Sequence, residues 1–261
     1  MTDVTVVIPG YNHGKYIGSA ISSVVQQVGV KTAIIVVDDG SVDDTELVVR
    51  RFPEVEYHYQ ENAGAHAAIN RGISLAKTEF VAVLNDDDIY DPVHLNWALK
   101  SLILNNADLH LSRPLPFGSG PLLDKMHSHD RHGTWLISRY GPAVALLFTN
   151  WFVGTSAMVM RRDLWGRLGG FRDFRLAHDL DFSLRVLSDN RCTAQMNEAK
   201  TWWYRCHDNN TVSSIQQETM QMELRRIFQS LPAEIKLDLE KTGLSGALEK
   251  GWGISLNEVF V

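Results

Sequence analysis

The chain has 261 residues, 44% of them hydrophobic, enough to bury a substantial core as one large domain or two small ones. Its 25 basic residues against 31 acidic ones give a formal net charge of -6 with no Lys/Arg-rich block, which argues against nucleic-acid or anionic-membrane binding as a general function. Cys192 and Cys206 are too few for a disulfide framework, and no run approaches the roughly 18 apolar residues of a membrane span.

The opening "MTDVTVVIPGYNHGKY" lacks the layout of a secretory signal, so the expectation is a reduced, cytoplasmic, soluble protein. In that compartment the sequon Asn209-Asn210-Thr211 reads as chance. "VTVVIP" (4–9) is a β-branched run closed by proline, a buried strand. The next stretch puts Ile17, Ala20, Ile21, Val24, Val25 and Val28 on one face of a helix. "TAIIVV" (32–37) is a second strand running into "DDGS", and Ser41 with Asp44 resembles a capping box opening a short helix. "VEYHY" (55–59) alternates like a third strand.

Ala65, Ala68, Ile69, Gly72, Ile73 and Ala76 then mark a helix whose small residues allow close packing on a sheet. "FVAVLN" (80–85) is the fourth strand. Strands alternating with helices predict a parallel sheet of right-handed crossover units, whose ligands bind at the carboxyl ends of the strands. Pro9, Asp38-Asp39 and Asp86-Asp87-Asp88 each stand at such an end.

Beyond residue 105 the pattern weakens. Residues 112–133, rich in Pro, Gly and His without a period, read as a long loop of the kind that serves as a lid. "TSAMVMRRDLW" reads as a strand entering a helix, "HDLDFSLRVL" as a helix with Leu180, Leu184 and Leu187 on one face, and "IQQETMQMELRRIF" as an amphipathic helix. The last thirty residues are polar and weakly patterned.

Three adjacent aspartates after a buried strand suit a hard divalent cation, which takes oxygen ligands and shares them with substrate phosphates. The same residues also suit a solvated turn. Asp38-Asp39-Gly40-Ser41 offers a tight turn with backbone N–H groups behind it, for a ligand or simply for a helix. His207 stands alone, as structural histidines usually do, and His127, His129 and His132 have no zinc-type frame around them. Asp179 and Asp181 open a helix, a position equally good for a general base and a plain cap. Residue chemistry alone thus points to a metal-dependent enzyme on a parallel sheet with a phosphate-bearing substrate.

Taken in order, "VVIPGYN", "IIVVDDGSVDDT", "NAGAHAAINRGISLAKTEFVAVLNDDD" and "GGFRDFRLAHDLDFSLRVL" resemble the family 2 glycosyltransferases over residues 3 to about 213. The resemblance implies the A-type nucleotide-diphospho-sugar transferase fold: α/β and Rossmann-like, with a mainly parallel sheet flanked by helices. It implies a donor-binding half (1–105), an acceptor half (106–213) and a C-terminal helical extension (214–261). Pro9 and Tyr11 would border the base, Asp39 would bind it, and Asn70, Asp86 and Asp88 would contact the donor. Asp87, Asp88 and His207 would hold Mn²⁺ or Mg²⁺, and Asp179 would be the base that gives inversion. The implied partners are a UDP-type sugar donor and a glycan or lipid-linked acceptor, with no nucleic acid and no membrane span, although peripheral membrane contact is compatible with it.

The chain departs from the family in having His178-Asp179 where Glu-Asp is common, and it lacks the Gln-x-x-Arg-Trp of processive synthases, which favours single addition. A nucleotidyltransferase would need a glycine-rich basic loop after the first strand, and Gly10, Gly14 and Lys15 supply little of one. The presence of Asp179, at the position of the family's base, argues against a non-catalytic nucleotide-sugar-binding module.

Overall fold

The computed structural model describes residues 3–148, 150, 154–208, 210 and 217–242. In chain order the first elements are β1 (Val4–Gly10), α1 (Gly14–Val25), β2 (Thr32–Asp38), α2 (Thr45–Val49) and β3 (Val55–Tyr59). Next come α3 (Ala65–Leu75), β4 (Phe80–Val83), β5 (Ile89–Tyr90), α4 (His94–Leu104) and β6 (Leu109–Gly118). α5 (Pro121–Tyr140), α6 (Pro142–Phe148), β7 (Met158–Arg161), α7 (Arg162–Arg167) and α8 (His178–Ser188) follow. The described chain closes with β8 (Ala194–Cys206), α9 (Gln217–Gln229) and α10 (Ala233–Lys241). Asn209 and Thr211 of the sequon lie outside the described residues, as do the side chains of His127, His129 and His132 and everything after residue 242.

The chain divides into two units, each discontinuous in sequence. The first comprises Met1–Phe117, Phe152–Arg175 and Cys192–Arg205. It carries an eight-stranded sheet in the order β3-β2-β1-β4-β7-β6-β8-β5. β3, β2, β1 and β4 pair in parallel, and β7 joins β4 antiparallel. The expected α/β fold with a mainly parallel sheet is therefore present. All seven residues of β1 are buried, as a strand covered on both faces requires. α3 packs so closely on β1 that a Cβ on Gly72 would stand 2.3 Å from Val7 Cγ1, which is the close approach its small residues predict.

The second unit comprises Gly118–Trp151, Leu176–Arg191 and Cys206–Val261. At its centre is the apolar helix α6, with Ala143, Val144, Ala145, Leu146 and Leu147 all buried. α5, α8 and α10 pack on it. Phe182 and Leu184 of α8 and Leu224, Ile227 and Phe228 of α9 are buried as well.

Three expectations need correction. Residues 112–133 are not a long loop, because β6 extends to Gly118 and α5 begins at Pro121. The prolines that argued against a strand, Pro114 and Pro116, lie beyond the three β6 residues paired with β7, where no N–H is owed to that neighbour. Pro121 occupies the first turn of α5, where its missing N–H costs nothing, and the apolar stripe is sparse, with Met126 and Leu136 buried. The capping box at Ser41 and Asp44 is also absent. Ser41 Oγ accepts the Asn12 N–H, and it is Asp43 that accepts the Thr45 N–H and hydroxyl at the start of α2. Finally, Val25 and Val28 are 48% and 56% exposed, since the buried face of α1 ends at Val24.

Candidate functional site

β1 and β2 end level with each other, Gly10 opposite Asp38, and the Asp39 N–H donates to the Gly10 carbonyl. The loops beyond these strands are tied together. The Asn12 side chain accepts the Val42 N–H and Asp43 accepts that of Gly14. Gly40 makes the turn at φ 86°, with Asn62 so near that a Cβ would meet its nitrogen at 2.9 Å. Pro9 is buried in β1, whereas the Tyr11 ring is 49% exposed.

Asp39 is buried and accepts three hydrogen bonds, from Gln60 Nε2 (2.7 Å), the Ala63 N–H (2.9 Å) and the Gly64 N–H (2.8 Å). A carboxylate has about four acceptor positions, so roughly one is left. Asp38 is committed to the turn: it accepts the Ser41 N–H and the Tyr57 hydroxyl, at 2.8 and 2.7 Å. Asn70 lies on α3 with its amide engaged, donating to the Phe171 carbonyl and accepting from the Phe171 N–H and Trp165 Nε1.

The three aspartates after β4 have three different surroundings. Asp86 is buried, and its two oxygens face the Tyr11 N–H (2.9 Å) and His13 Nδ1 (2.7 Å). Burial raises its pKa above the ordinary carboxylate range, and the His13 bond draws it part of the way back. Burial alone would lower His13, but the hydrogen bond and charge of Asp86, with Asp87 and Asp43 behind it, outweigh that and raise its pKa to about 9. Asp88 is also buried, with Oδ2 accepting the Ser156 hydroxyl (2.6 Å) and Oδ1 the Arg205 N–H (3.0 Å). Burial and then the Asp87 charge push its pKa well above the usual range. Asp87 alone of the three is only half-buried. Its carboxylate and a ring nitrogen of His13 lie within 4.8 Å of each other, a donor pair that fits a divalent cation.

In the second unit Asp179 sits in the first turn of α8 and is buried. Its Oδ2 accepts from Asn150 Nδ2 (2.9 Å) and its Oδ1 from the Leu180 N–H (2.8 Å). Asp181 faces another way and pairs with Arg185 at 2.9 Å. The free N–H groups before α8 are capped from a distant helix, with Glu223 Oε2 accepting those of Leu176 and Ala177. His207 is braced by Asn210, whose side chain meets both its backbone N–H and its Nε2.

Sequence reasoning missed His13, Arg205, Asn150 and Glu223. The only signal for His13 was its place three residues after the first strand. Nothing local marked the other three, whose partners are 29 to 118 residues away.

A profile of "Glycosyl transferase family 2" matches residues 5–168, more than half of the chain. The chain belongs to this family. An uncharacterized glycosyltransferase of Rickettsia typhi is 38% identical over 106 residues, 40% of this chain and 33% of the relative. The chain spans a third or less of the length of the first such relatives. Among solved structures, TarS residues 1-349 of S. aureus in complex with UDP-GlcNAc has a TM-score of 0.70 at 18% identity, covering 99% of this chain and 75% of that one. The mannosyltransferase PcManGT of Pyrobaculum calidifontis, in complex with GDP-Man and Mn²⁺, has a TM-score of 0.64 at 18% identity, covering 96% and 73%. At such identities the likeness shows the fold, which is the A-type glycosyltransferase fold.

Proposed function

We propose that this chain transfers a sugar from a nucleotide-diphospho-sugar, UDP-linked, to a hydroxyl acceptor, with inversion and one unit at a time. The observation that carries the reading is the gathering of Asp39, Asp86 and Asp87 at the carboxyl ends of parallel strands in a family 2 chain. The similar structures holding UDP-GlcNAc, or GDP-Man with Mn²⁺, support the donor class.

In this reading the remaining acceptor position of Asp39 takes a base N–H, and Pro9 and Tyr11 flank the base. Asn70, whose amide is occupied by Trp165 and Phe171, shapes the donor side by holding the segment around residue 171. Asp87 is the carboxylate offered to Mn²⁺ or Mg²⁺, while Asp88 anchors the turn through Ser156 and Arg205. The role of His207 at a metal rests on the family resemblance. The cation, when bound, supplies the positive charge that a departing nucleoside diphosphate needs.

Asp179 removes the proton of the acceptor hydroxyl. Asn150 and the Leu180 N–H each bind one of its oxygens, so the carboxylate is held in one orientation before the acceptor arrives. Residues 1–105 form the donor half, 106–213 the acceptor half and 214–261 an extension. The acceptor is a glycan or lipid-linked glycan, the setting surface-glycan or polysaccharide biosynthesis in the cytoplasm. Among the described residues no helix is long and apolar enough to cross a membrane.

The test is a panel of nucleotide sugars incubated with Mn²⁺, with and without glycan acceptors, with the product's anomeric configuration read by NMR. Transfer with inversion from a UDP-sugar is the expected result. Retention of configuration, or donor synthesis from a sugar phosphate, would overturn the reading.

A further inference from the structure

The first unit carries a cleft of about 690 Å³ between α1, the end of α2 and the β5–β8 edge of the sheet. Small-ligand sites usually measure roughly 300–1,000 Å³. Its walls include none of Pro9, Tyr11, Asp39, Asn70 or the three aspartates after β4.

The cleft follows from how the elements around it divide their faces. Ile17, Ala20, Ile21 and Val24 of α1 are buried, whereas Gly18, Ser19, Ser22 and Gln26, at steps of three and four, line the cleft. Gly18 lets α2 come near, since a Cβ there would meet Val48 Cγ1 at 3.2 Å. On the other wall β8 alternates. Trp202 and Tyr204 are buried, and Trp203 between them turns outward, 37% exposed. The Phe117 ring meets the Trp203 ring edge to face at 6.0 Å and 89°, which steadies the indole.

The polar groups of this cleft are unused. Among the described residues nothing bonds to the Ser19 hydroxyl, the Gln26 amide, the Arg51 guanidinium or Trp203 Nε1. Asp91 accepts the Val93 N–H through Oδ1 at 3.1 Å and keeps Oδ2 open. The cleft therefore offers aromatic surface with donors and acceptors around it, and Arg51 and Asp91 offset each other's charge. A sugar ring is the complement of such a surface. It has a C–H face that lies on an aromatic ring and a rim of hydroxyls that both donate and accept. The balanced charge disfavours an anionic ligand, and serine and aspartate are depleted at the cores of protein interfaces.

We propose that this cleft is a saccharide site separate from the donor site. It binds a neutral oligosaccharide, with one ring stacked on Trp203 and hydroxyls shared by Gln26, Arg51 and Asp91. This goes beyond the transfer reading, because it assigns the first unit a glycan contact that takes no part in donor chemistry.

NMR of the full chain with ¹⁵N-labelled tryptophan tests the assignment. The probes are neutral oligosaccharides of glucose, galactose, mannose and N-acetylglucosamine, and the Trp203 indole resonance is identified by its loss in Trp203→Phe. It should shift saturably with at least one probe in the absence of UDP and Mn²⁺, and adding both should leave the affinity unchanged. Gln26→Ala and Arg51→Ala, at exposed positions, should each weaken binding by about two- to tenfold. Trp203→Ala should weaken it by about tenfold or more, read by saturation transfer to the ligand. Circular dichroism is the folding check, and if Trp203→Ala does not fold the two exposed variants decide.

No saturable shift with any probe, or equal binding by wild type, Gln26→Ala and Arg51→Ala, overturns the proposal. Displacement by UDP also overturns it, since the indole would then report the donor site. So does a shift that follows protein concentration alone, which would make the cleft a contact between copies. The transfer reading stands or falls separately. Binding without sugar transfer from any donor keeps the saccharide site and removes the activity; transfer by a chain whose cleft binds nothing does the reverse.

Discussion

At the scale of single residues, the two acids given separate roles can be separated by experiment. Asp39→Ala removes a carboxylate holding three donors in the 60–64 loop as well as the proposed base contact. A hydrogen bond to a charged group is worth roughly 1.5–3 kcal/mol, so UMP and UDP should both bind about tenfold or more weakly, with or without Mn²⁺. Calorimetry with UMP decides this, because a loss confined to Mn²⁺-dependent UDP binding would place Asp39 with the ion. Asp179→Asn keeps size and should leave UDP affinity unchanged while transfer falls about 10²–10⁴-fold. Asp181→Asn is the companion variant, and because Asp181 is paired with Arg185 its loss should appear in thermal stability more than in the rate of a folded enzyme. Equal transfer by Asp179→Asn and wild type would move the base elsewhere, with His178 the next residue to test.

Among the elements, the contact of α3 with β1 is where packing is tightest. Gly72→Ala improves helix propensity by about 1 kcal/mol. It also forces a Cβ to within 2.3 Å of Val7 Cγ1, on a stiff side chain that is 0% exposed. Overpacking of this kind costs about 1–3 kcal/mol, so the variant should be less stable on balance. Gly166→Ala in α7 is the control, since nothing lies within 4 Å of the added methyl group, and it should be neutral or slightly stabilising. Urea titration of both variants tests the contrast; equal midpoints would mean that α3 can move off the sheet. Periodicity revealed α1, α3, α8 and α9 because each carries a recognisable apolar face. It missed β6 and α5 because Pro114, Pro116 and Pro121 look like breakers until one knows which strand is the neighbour and where the helix starts.

Across the whole molecule, two buried histidines set a limit on acid stability. His94, completely buried, is stacked on Tyr90 at 4.1 Å and bonded to Thr201; burial, with His110 nearby, lowers its pKa to about 3. Burial lowers His110 to about 4. In the unfolded chain both titrate near the ordinary histidine value of about 6.5. Between that value and 4 the unfolded state binds more protons than the folded one, so stability falls as pH drops through this window and is full above it. These two histidines should therefore lower the urea midpoint as pH falls from 7.5 to 5, and replacing both with Gln should remove that contribution. The same pH dependence in wild type and double variant would mean that the two rings are not buried neutral in solution. The comparison is needed because the raised pKa values of His13, Asp86 and Asp88 act in the opposite direction in both proteins.

The sequence by itself determined the class of fold and the positions at which ligand chemistry gathers. A β-branched run buried on both faces and a helix with one apolar face are local patterns, and a polar cluster at the end of such a run is legible without coordinates. What it could not determine was the division of labour inside Asp86-Asp87-Asp88, because three identical side chains differ only in their neighbours. Those neighbours come from afar: His13 is 73 residues before Asp86, Ser156 is 68 after Asp88, and Arg205 is 118 after Asp87. Burial and hydrogen bonding by distant residues commit two of the three carboxylates to the protein and leave Asp87 the most accessible. Only the tertiary structure could make that choice, since desolvation and partner geometry are properties of the folded surroundings and not of the residue.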